Sequence, residues 1–469
     1  MMSENPPRLW LMDDNVIGAG GHFLELASLL AGAANERGYS SQLAVHESFD
    51  ENDSALVCDP VFRVRRMTYW SLGVDGRSRV SRNTLGEPIG GTRLERAWHR
   101  LGDPLSRRNV RPATMLQRWS EDFQRLVRQW NPQPHDRIVI NTGDDFQLLA
   151  LSRALSELNL AHPLTIHVIL HFALYEGAEP STRAKLYGEQ VNAVLRRTNG
   201  HLVHLHATTE PLTRQLGAVG VKVTPIPYPI RPPASGDNLR DNLRDNLRDN
   251  LRDNLRDNLN QDQRSLKIVL AGMPRAEKGR GQMKALLSEI WSSHLETGDF
   301  SIAMQMPRQR WQRMIPMDLR GEYRRAMKNK GNDAANRLEI HSGDLDAESY
   351  NRFLDSADVG LFLYDPQRYV ARCSGVLLEM FIRGVPVIVP KGCWLSEQLD
   401  LAGGDGVIGY SYQSIEQIPQ LLRQVRREYS SIRQRAALHA RKTCDLHNAS
   451  NTLRVMGVPD LAAFALRAS

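Results

Sequence analysis

The chain has 469 residues, 41% hydrophobic side chains and a formal net charge of +7, which is too long for a single core and ample for two α/β domains. The opening MMSENPPRLWLMDD lacks a basic stretch leading into an apolar one, and no run reaches the ~18 apolar residues of a membrane span, so a soluble, cytoplasmic protein is expected. Cys58, Cys373, Cys393 and Cys444 fall in no CxxC or metal-like spacing, as suits free thiols in a reducing compartment.

The first half begins with a strand, Arg8–Met12, a loop from Asp13 to Gly21, and a helix from His22 to Arg37. Phe23, Leu24, Ala27, Leu30 and Ala33 give that helix its apolar face, Gly38 ends it, and Ser41–Val45 follows as a strand. The loop carries GAGGHF, Gly18 to Phe23. Glycines such as Gly20 and Gly21 at a helix N-terminus let backbone amides approach a phosphate. A dinucleotide fingerprint needs a third glycine where Phe23 stands, yet Glu47 lies near the end of the next strand. A nicotinamide-dependent oxidoreductase therefore stays open, as does a plain tight turn.

Residues 61–130 hold fifteen Arg against six Asp or Glu, mixed with Tyr69, Trp70, Trp98, Trp119 and Trp130. This is either a solvated insertion or a peripheral contact with an anionic membrane surface. No nucleic-acid-binding module accompanies the charge, so nucleic acid is not an expected partner. Residues 72–112, rich in Gly, Pro and Arg, match no element. Buried strands are expected at Arg137–Asn141, Leu164–Leu170 and His201–Ala207, with Val221–Ile230 a short strand running into prolines. His171 closes the apolar run LTIHVILH, where it is either placed to orient an acceptor, bind a sugar or take a proton, or is an ordinary packed or polar loop histidine. Asp144, Asp145 and Glu176 are weaker candidates. His201, His204 and His206 alternate along a strand without a carboxylate or cysteine pattern, and read as strand residues rather than metal ligands.

Residues 237–260 repeat DNLR five times and end in DNLN. Leucine every fourth residue drifts around a helix and builds no continuous apolar stripe, so 236–262 reads as a flexible linker between domains 1–235 and 263–469.

Beyond it, strands are expected at Leu266–Ala271, Ser301–Gln305, Leu338–His341, Val359–Leu363 and Val385–Val389, spaced by helices. Strands alternating with helices imply parallel sheets, here two Rossmann-like domains facing across a cleft. After the first of these strands, AGMPRAEKGRG sets Arg275, Lys278 and Arg280 beside glycines, a pattern suited to a diphosphate or to a basic surface turn. Tyr369–Val389, YVARCSGVLLEMFIRGVPVIV, reads as a loop, a helix bearing Glu379, a closing Gly384 and a buried strand. Ser374, Gly375 and Val376 open that helix at the ligand-binding edge of the sheet.

Residues 266–281 with 338–395 resemble the C-terminal half of GT-B fold enzymes of the glycosyl transferases group 1 family. The resemblance rests on AGMPRAEKG, HSGDL at 341–345, ADVGLFLY at 357–364, SGVLLEM at 374–380 and RGVPVIV at 383–389. It implies a hexosyltransferase-like, metal-independent, retaining enzyme that uses a nucleotide-diphosphate sugar and no other cofactor, with a carbohydrate or lipid-linked acceptor. Arg275 and Lys278 would hold the diphosphate and Glu379 the ribose. A first glutamate of the family pattern would fall at Ala371, so either Tyr369, Arg372 or Ser374 takes over the contact to the sugar or the enzyme uses a different sugar. A non-catalytic nucleotide-sugar-binding descendant fits the same departure.

Overall fold

The computed structural model describes residues 6–18, 22–49, 56–65, 112–232, 264–309, 311–328, 337–343 and 345–463. The DNLR tract, Gly20, Gly21 and the 72–111 stretch lie outside the described residues.

In chain order the first half forms β1 (Arg8–Asp13), α1 (His22–Glu36), β2 (Ser40–His46), β3 (Cys58–Phe62), α2 (Pro112–Trp130), β4 (Arg137–Gly143), α3 (Asp145–Glu157), β5 (Thr165–Leu170), α4 (Thr182–Leu195), β6 (Leu202–Ala207), α5 (Glu210–Ala218) and β7 (Thr224–Pro225). The seven strands make one parallel sheet in the order β3-β2-β1-β4-β5-β6-β7. Strand β1 reads RLWLMD and is apolar at successive positions because both of its faces are covered. Leu9 and Leu11 pack with α1 on one side, while Trp10 and Met12 join Trp119, Phe123 and Trp130 of α2 on the other. Trp10 stacks on Trp130 at 3.7 Å between ring centroids, and the Arg8 guanidinium lies 4.7 Å from the Trp10 ring. Arg8 is held in turn by the buried carboxylate of Asp136, to which its Nε and Nη2 donate at 3.0 and 2.8 Å.

The second half forms β8 (Leu266–Leu270), α6 (Met283–Ile290), β9 (Phe300–Met306), α7 (Arg320–Lys328), β10 (Leu338–Ser342), α8 (Ala347–Asp355), β11 (Val359–Leu361), α9 (Gly375–Ile382), β12 (Val387–Pro390), α10 (Trp394–Ala402), β13 (Gly409–Tyr412), α11 (Ile418–Leu446) and α12 (Ala449–Val455). Its strands make a second parallel sheet, β10-β9-β8-β11-β12-β13. Each sheet is the centre of its own compact unit, Met1–Pro229 with Val370–Cys373 and His447–Ser469, and Ile230–Tyr369 with Ser374–Leu446.

Several boundaries differ from those read off the sequence. Only Thr224–Pro225 of the expected Val221–Ile230 strand pairs with β6, because Pro225, Pro227 and Pro229 offer no N–H to a ladder. Strand β12 starts at Val387 rather than Val385: Gly384, at φ +60°, closes α9 while the Val385 amide still donates to Met380 O at 3.0 Å. Strands β3 and β13 had no clear sequence signature, one being a short edge strand carrying Pro60 and the other reading GYSY. The sequence placed everything to residue 469 in the second domain, whereas α12 packs against α1. Leu453 is buried there, and Arg37 donates to Val458 O and Ser450 O at 2.9 and 2.8 Å.

Within the first sheet, His167 of β5 and His206 of β6 are both 2% exposed and share one hydrogen bond, Nδ1 to Nε2, at 3.0 Å. Burial holds both imidazoles neutral: it lowers His206 to about 4 and His167 well below its ordinary value, with the neighbouring histidines adding to each shift. A histidine whose folded pKa is depressed takes up its proton only on unfolding. Stability is therefore flat above the unfolded pKa of ~6.5 and falls as pH drops below it. Between pH 7 and pH 5 wild-type protein should lose roughly 1–2 kcal/mol more stability than His206→Gln, read by urea denaturation at both pH values. Equal losses in the two proteins would show that this pair is not the group responsible.

Candidate functional site

In the second sheet β8 is the first strand in sequence, and the chain builds outward from it to β9 and β10 on one side and to β11, β12 and β13 on the other. Strand order reverses between β8 and β11, so the loops leaving those two strands bound the crevice where an open α/β sheet takes ligands. These loops are residues 271–282 and 362–374.

The first loop is shaped by two glycines in the left-handed region. Gly272, at φ +89°, donates its amide to Oε1 of the buried Gln305 at 2.6 Å, which anchors the loop to β9. A short 3₁₀ turn, Ala276–Lys278, follows, with Arg275 at its N-cap and Gly279 at φ +75° closing it. A Cβ at Gly279 would stand 2.2 Å from both the Cβ and the carbonyl oxygen of Leu363, so only glycine lets the two loops touch. The Asp365 amide adds a hydrogen bond to Glu277 O at 3.0 Å. Arg275 is exposed, and Lys278 Nζ lies 5.3 Å from the centroid of the Tyr364 ring. The position of a Cβ on Gly272 would be 2.8 Å from Lys278 Nζ, so the ammonium curls back over that glycine.

The Tyr364 ring packs on Tyr369 at 4.4 Å between centroids, and on α8 the Tyr350 hydroxyl donates to Glu379 Oε2 at 3.0 Å. The Tyr350 phenol is held well above its ordinary value, first by burial and then by the Glu379 carboxylate and Tyr364. Tyr350 therefore stays protonated and donates to Glu379. Glu379 itself is half-buried. Helix α9 is capped by Ser374, whose Oγ accepts from the Leu377 amide at 3.2 Å. The amides of Gly375 and Val376 precede the first helical carbonyls able to receive them, so they add a positive end to this edge.

The sequence candidates thus separate. Lys278 and Tyr369 both meet Tyr364, Glu379 meets Tyr350, and Arg275 stands at the N-cap of the turn that carries Lys278. Tyr369 is 2% exposed and acts as packing for Tyr364. Arg372 goes elsewhere: residues 370–373 group with the first unit, where the Ala371 carbonyl accepts from Thr209 Oγ1 at 2.8 Å and the Arg372 guanidinium lies 5.3 Å from the Phe172 ring centroid. Tyr350 and Gln305 went unread. Tyr350 sits in AESYNRFLD, an ordinary surface-helix pattern, and nothing in it marks one residue as a carboxylate partner.

At the carboxyl edge of the first sheet, His171 Nε2 donates to the Asn141 carbonyl at 2.8 Å, which directs any proton uptake to Nδ1. Its ring meets Tyr228 edge-on, 6.0 Å between centroids. Asp144 is a helix cap, accepting from the Phe146 amide at 3.0 Å with Gln147 completing a capping box. Asp145 is buried on the same turn, and Glu176 is half-buried. His201 Nδ1 accepts from the Leu164 amide at 2.9 Å. No group of three or more His, Cys, Asp or Glu suited to a metal occurs among the described residues, nor any helix long and apolar enough to cross a membrane.

No family model and no curated protein matches the chain. Solved structures do. An α,α-trehalose-phosphate synthase (UDP-forming) from Burkholderia xenovorans, in complex with glucose-6-phosphate, aligns at TM-score 0.59 and 12% identity over 97% of this chain and 100% of that one. The N-terminal domain of Candida albicans trehalose-6-phosphate phosphatase aligns at 0.57 and 14% over 99% and 98%. HepE from Anabaena, in complex with UDP, aligns at 0.50 and 11% over 98% and 100%. At these identities the likeness establishes the fold, and the fold is GT-B.

The contact between the two loops can be tested directly. Gly279→Ala combines a left-handed backbone with an overlap against Leu363, and should cost roughly 2–4 kcal/mol in urea denaturation. Gly281→Ala, which meets nothing within 4 Å, should stay within about 0.5 kcal/mol of wild type. Equal costs at the two positions would contradict the packing described.

Proposed function

We propose that the protein is a glycosyltransferase that moves a sugar from a nucleoside-diphosphate sugar to a carbohydrate or lipid-linked acceptor, with retention at the anomeric carbon. The observation that carries this reading is the strand-order reversal of the second sheet, where Lys278 stands by the Tyr364 ring on the loop after β8 and Glu379, held by the Tyr350 hydroxyl, lies on the helix that follows β11. It sets a cation and a carboxylate acceptor on one edge, as a molecule with a diphosphate at one end and ribose hydroxyls at the other requires. Two of the GT-B structures in the comparison bear on the donor: one is described as UDP-forming and another holds UDP.

When the glycosidic bond to the donor breaks, negative charge collects on the departing diphosphate. Lys278, Arg275 and the Gly375 and Val376 amides meet that charge, in the role a divalent cation would otherwise fill, so the reaction on this reading runs without metal or additional cofactor. Glu379, oriented by the Tyr350 hydroxyl, accepts from the ribose. Ser374 is the nearest candidate at this edge for a sugar hydroxyl, and His171 in the first unit is the candidate to orient the acceptor. The enzyme would work in the cytoplasm, with the basic 61–130 stretch as its candidate contact with an anionic membrane face.

Thermal-shift titration with UDP, GDP, ADP and NADH, followed by donor turnover, separates the possibilities. A shift with a nucleoside diphosphate and none with NADH is expected; the reverse would move the protein to nicotinamide chemistry, and binding without turnover to a non-catalytic role. With an active donor, Lys278→Met should lower kcat about 10²-fold while weakening nucleotide binding less than about 10-fold, because its charge matters most when the diphosphate departs. Equal losses in kcat and binding would reduce Lys278 to a ground-state contact.

A further inference from the structure

One buried cation at the same edge is not used by this scheme. Arg368 lies in the 362–374 loop with its side chain only 6% exposed. Its Nε donates to Asp365 Oδ2 at 3.2 Å, and its backbone amide to Asp365 O at the same distance. Nη1 is buried, and among the described residues it meets no hydrogen-bond partner. Asp365 is a shared and open counter-ion: its carboxylate is 34% exposed and also accepts from the Gln367 amide at 3.1 Å. A guanidinium has five N–H donors, and native interiors rarely leave one of them dry and unmet. Holding it so is unfavourable for the resting protein, and an anion from outside relieves the cost.

The position names the anion's owner. Asp365, the partner of Arg368, donates its own amide to Glu277 O, inside the turn that carries Arg275 and Lys278. Tyr364, next in sequence, has the Lys278 ammonium near its ring and packs on Tyr369. Arg368 is thus stitched to the cationic turn through one residue. We propose that Arg368 is a further anion-binding residue of the donor site, presenting Nη1 to paired anionic oxygens, those of the diphosphate or of a carboxylate on an acidic sugar. This rests on the donor reading above, and the two sources differ in what the donor must be.

The experiment uses the full chain, wild type, Arg368→Met and Arg368→Lys, with pyrophosphate, UDP, UDP-glucose and UDP-glucuronate as probes in calorimetric titration. Methionine fills similar space without the unmet donors, so the unliganded variant should melt no lower than wild type. If the diphosphate is the partner, Arg368→Met weakens all four probes at least 10-fold. If a sugar carboxylate is the partner, only UDP-glucuronate weakens, by the same factor. Either result supports the proposal, and Arg368→Lys should recover part of the loss because it restores charge but not the paired edge. A variant that melts lower and binds every probe within twofold of wild type would overturn it, making Arg368 a packing residue. Should Arg368→Met fail to fold, Arg368→Lys decides: within twofold on every probe sinks the proposal, and a loss of fivefold or more on pyrophosphate or UDP-glucuronate sustains it. Wild type that binds pyrophosphate but no UDP compound would refute the donor reading while leaving Arg368 testable as an anion site. Wild type that binds none of the four would refute both.

Discussion

The candidate site depends on one close approach, that of Gly279 to Leu363. Both the Cβ and the carbonyl oxygen of Leu363 occupy space that any other residue at 279 would need, and the backbone there is left-handed as well. Because that contact forms, the turn after β8 lies against the segment after β11 instead of standing away in solvent. Lys278, one residue back, is thereby delivered to the Tyr364 ring, and Glu277 presents its carbonyl to the Asp365 amide. Gln305, reaching from β9 to the Gly272 amide, fixes the other end of the turn.

The charges on this edge are arranged rather than merely gathered. Lys278 stands 5.3 Å from the centroid of the Tyr364 ring, which positions its ammonium on the loop after β8. Glu379 is supported by a phenol that burial and the carboxylate itself keep protonated, so the support is a donor throughout the physiological range. The N-terminus of α9 contributes partial positive charge without a side chain. The cation belongs to the turn after β8, the acceptor and the helix end both to α9, and a parallel sheet brings the loops leading into these two elements to its carboxyl edge as a matter of topology.

Much of this was legible in the sequence because the signals were steric and periodic. Unbroken apolar runs marked the central strands, Gly384 marked the end of α9, and the loop after β8 and the helix bearing Glu379 were both expected in the order in which they occur. What escaped had no local cause. Tyr350 reaches Glu379 from a different helix, and no spacing within AESYNRFLD foretells it. The pairing of His167 with His206 needs the β5–β6 register, in which residues 167 and 204 stand opposite one another, and strand reading alone gives no register. The return of α12 to the first unit is set by Arg37, Ser450 and Val458, more than four hundred residues apart in the chain. The burial of Arg368 has no local signature in DPQRYV either.

A crystal structure of the full chain with UDP bound tests the central claim most directly. The account predicts diphosphate oxygens within hydrogen-bonding distance of Lys278 Nζ and the Arg275 guanidinium, and a ribose hydroxyl on the Glu379 carboxylate. Nucleotide bound at another surface, or at this edge with its phosphates turned away from Lys278 and toward solvent, would contradict it.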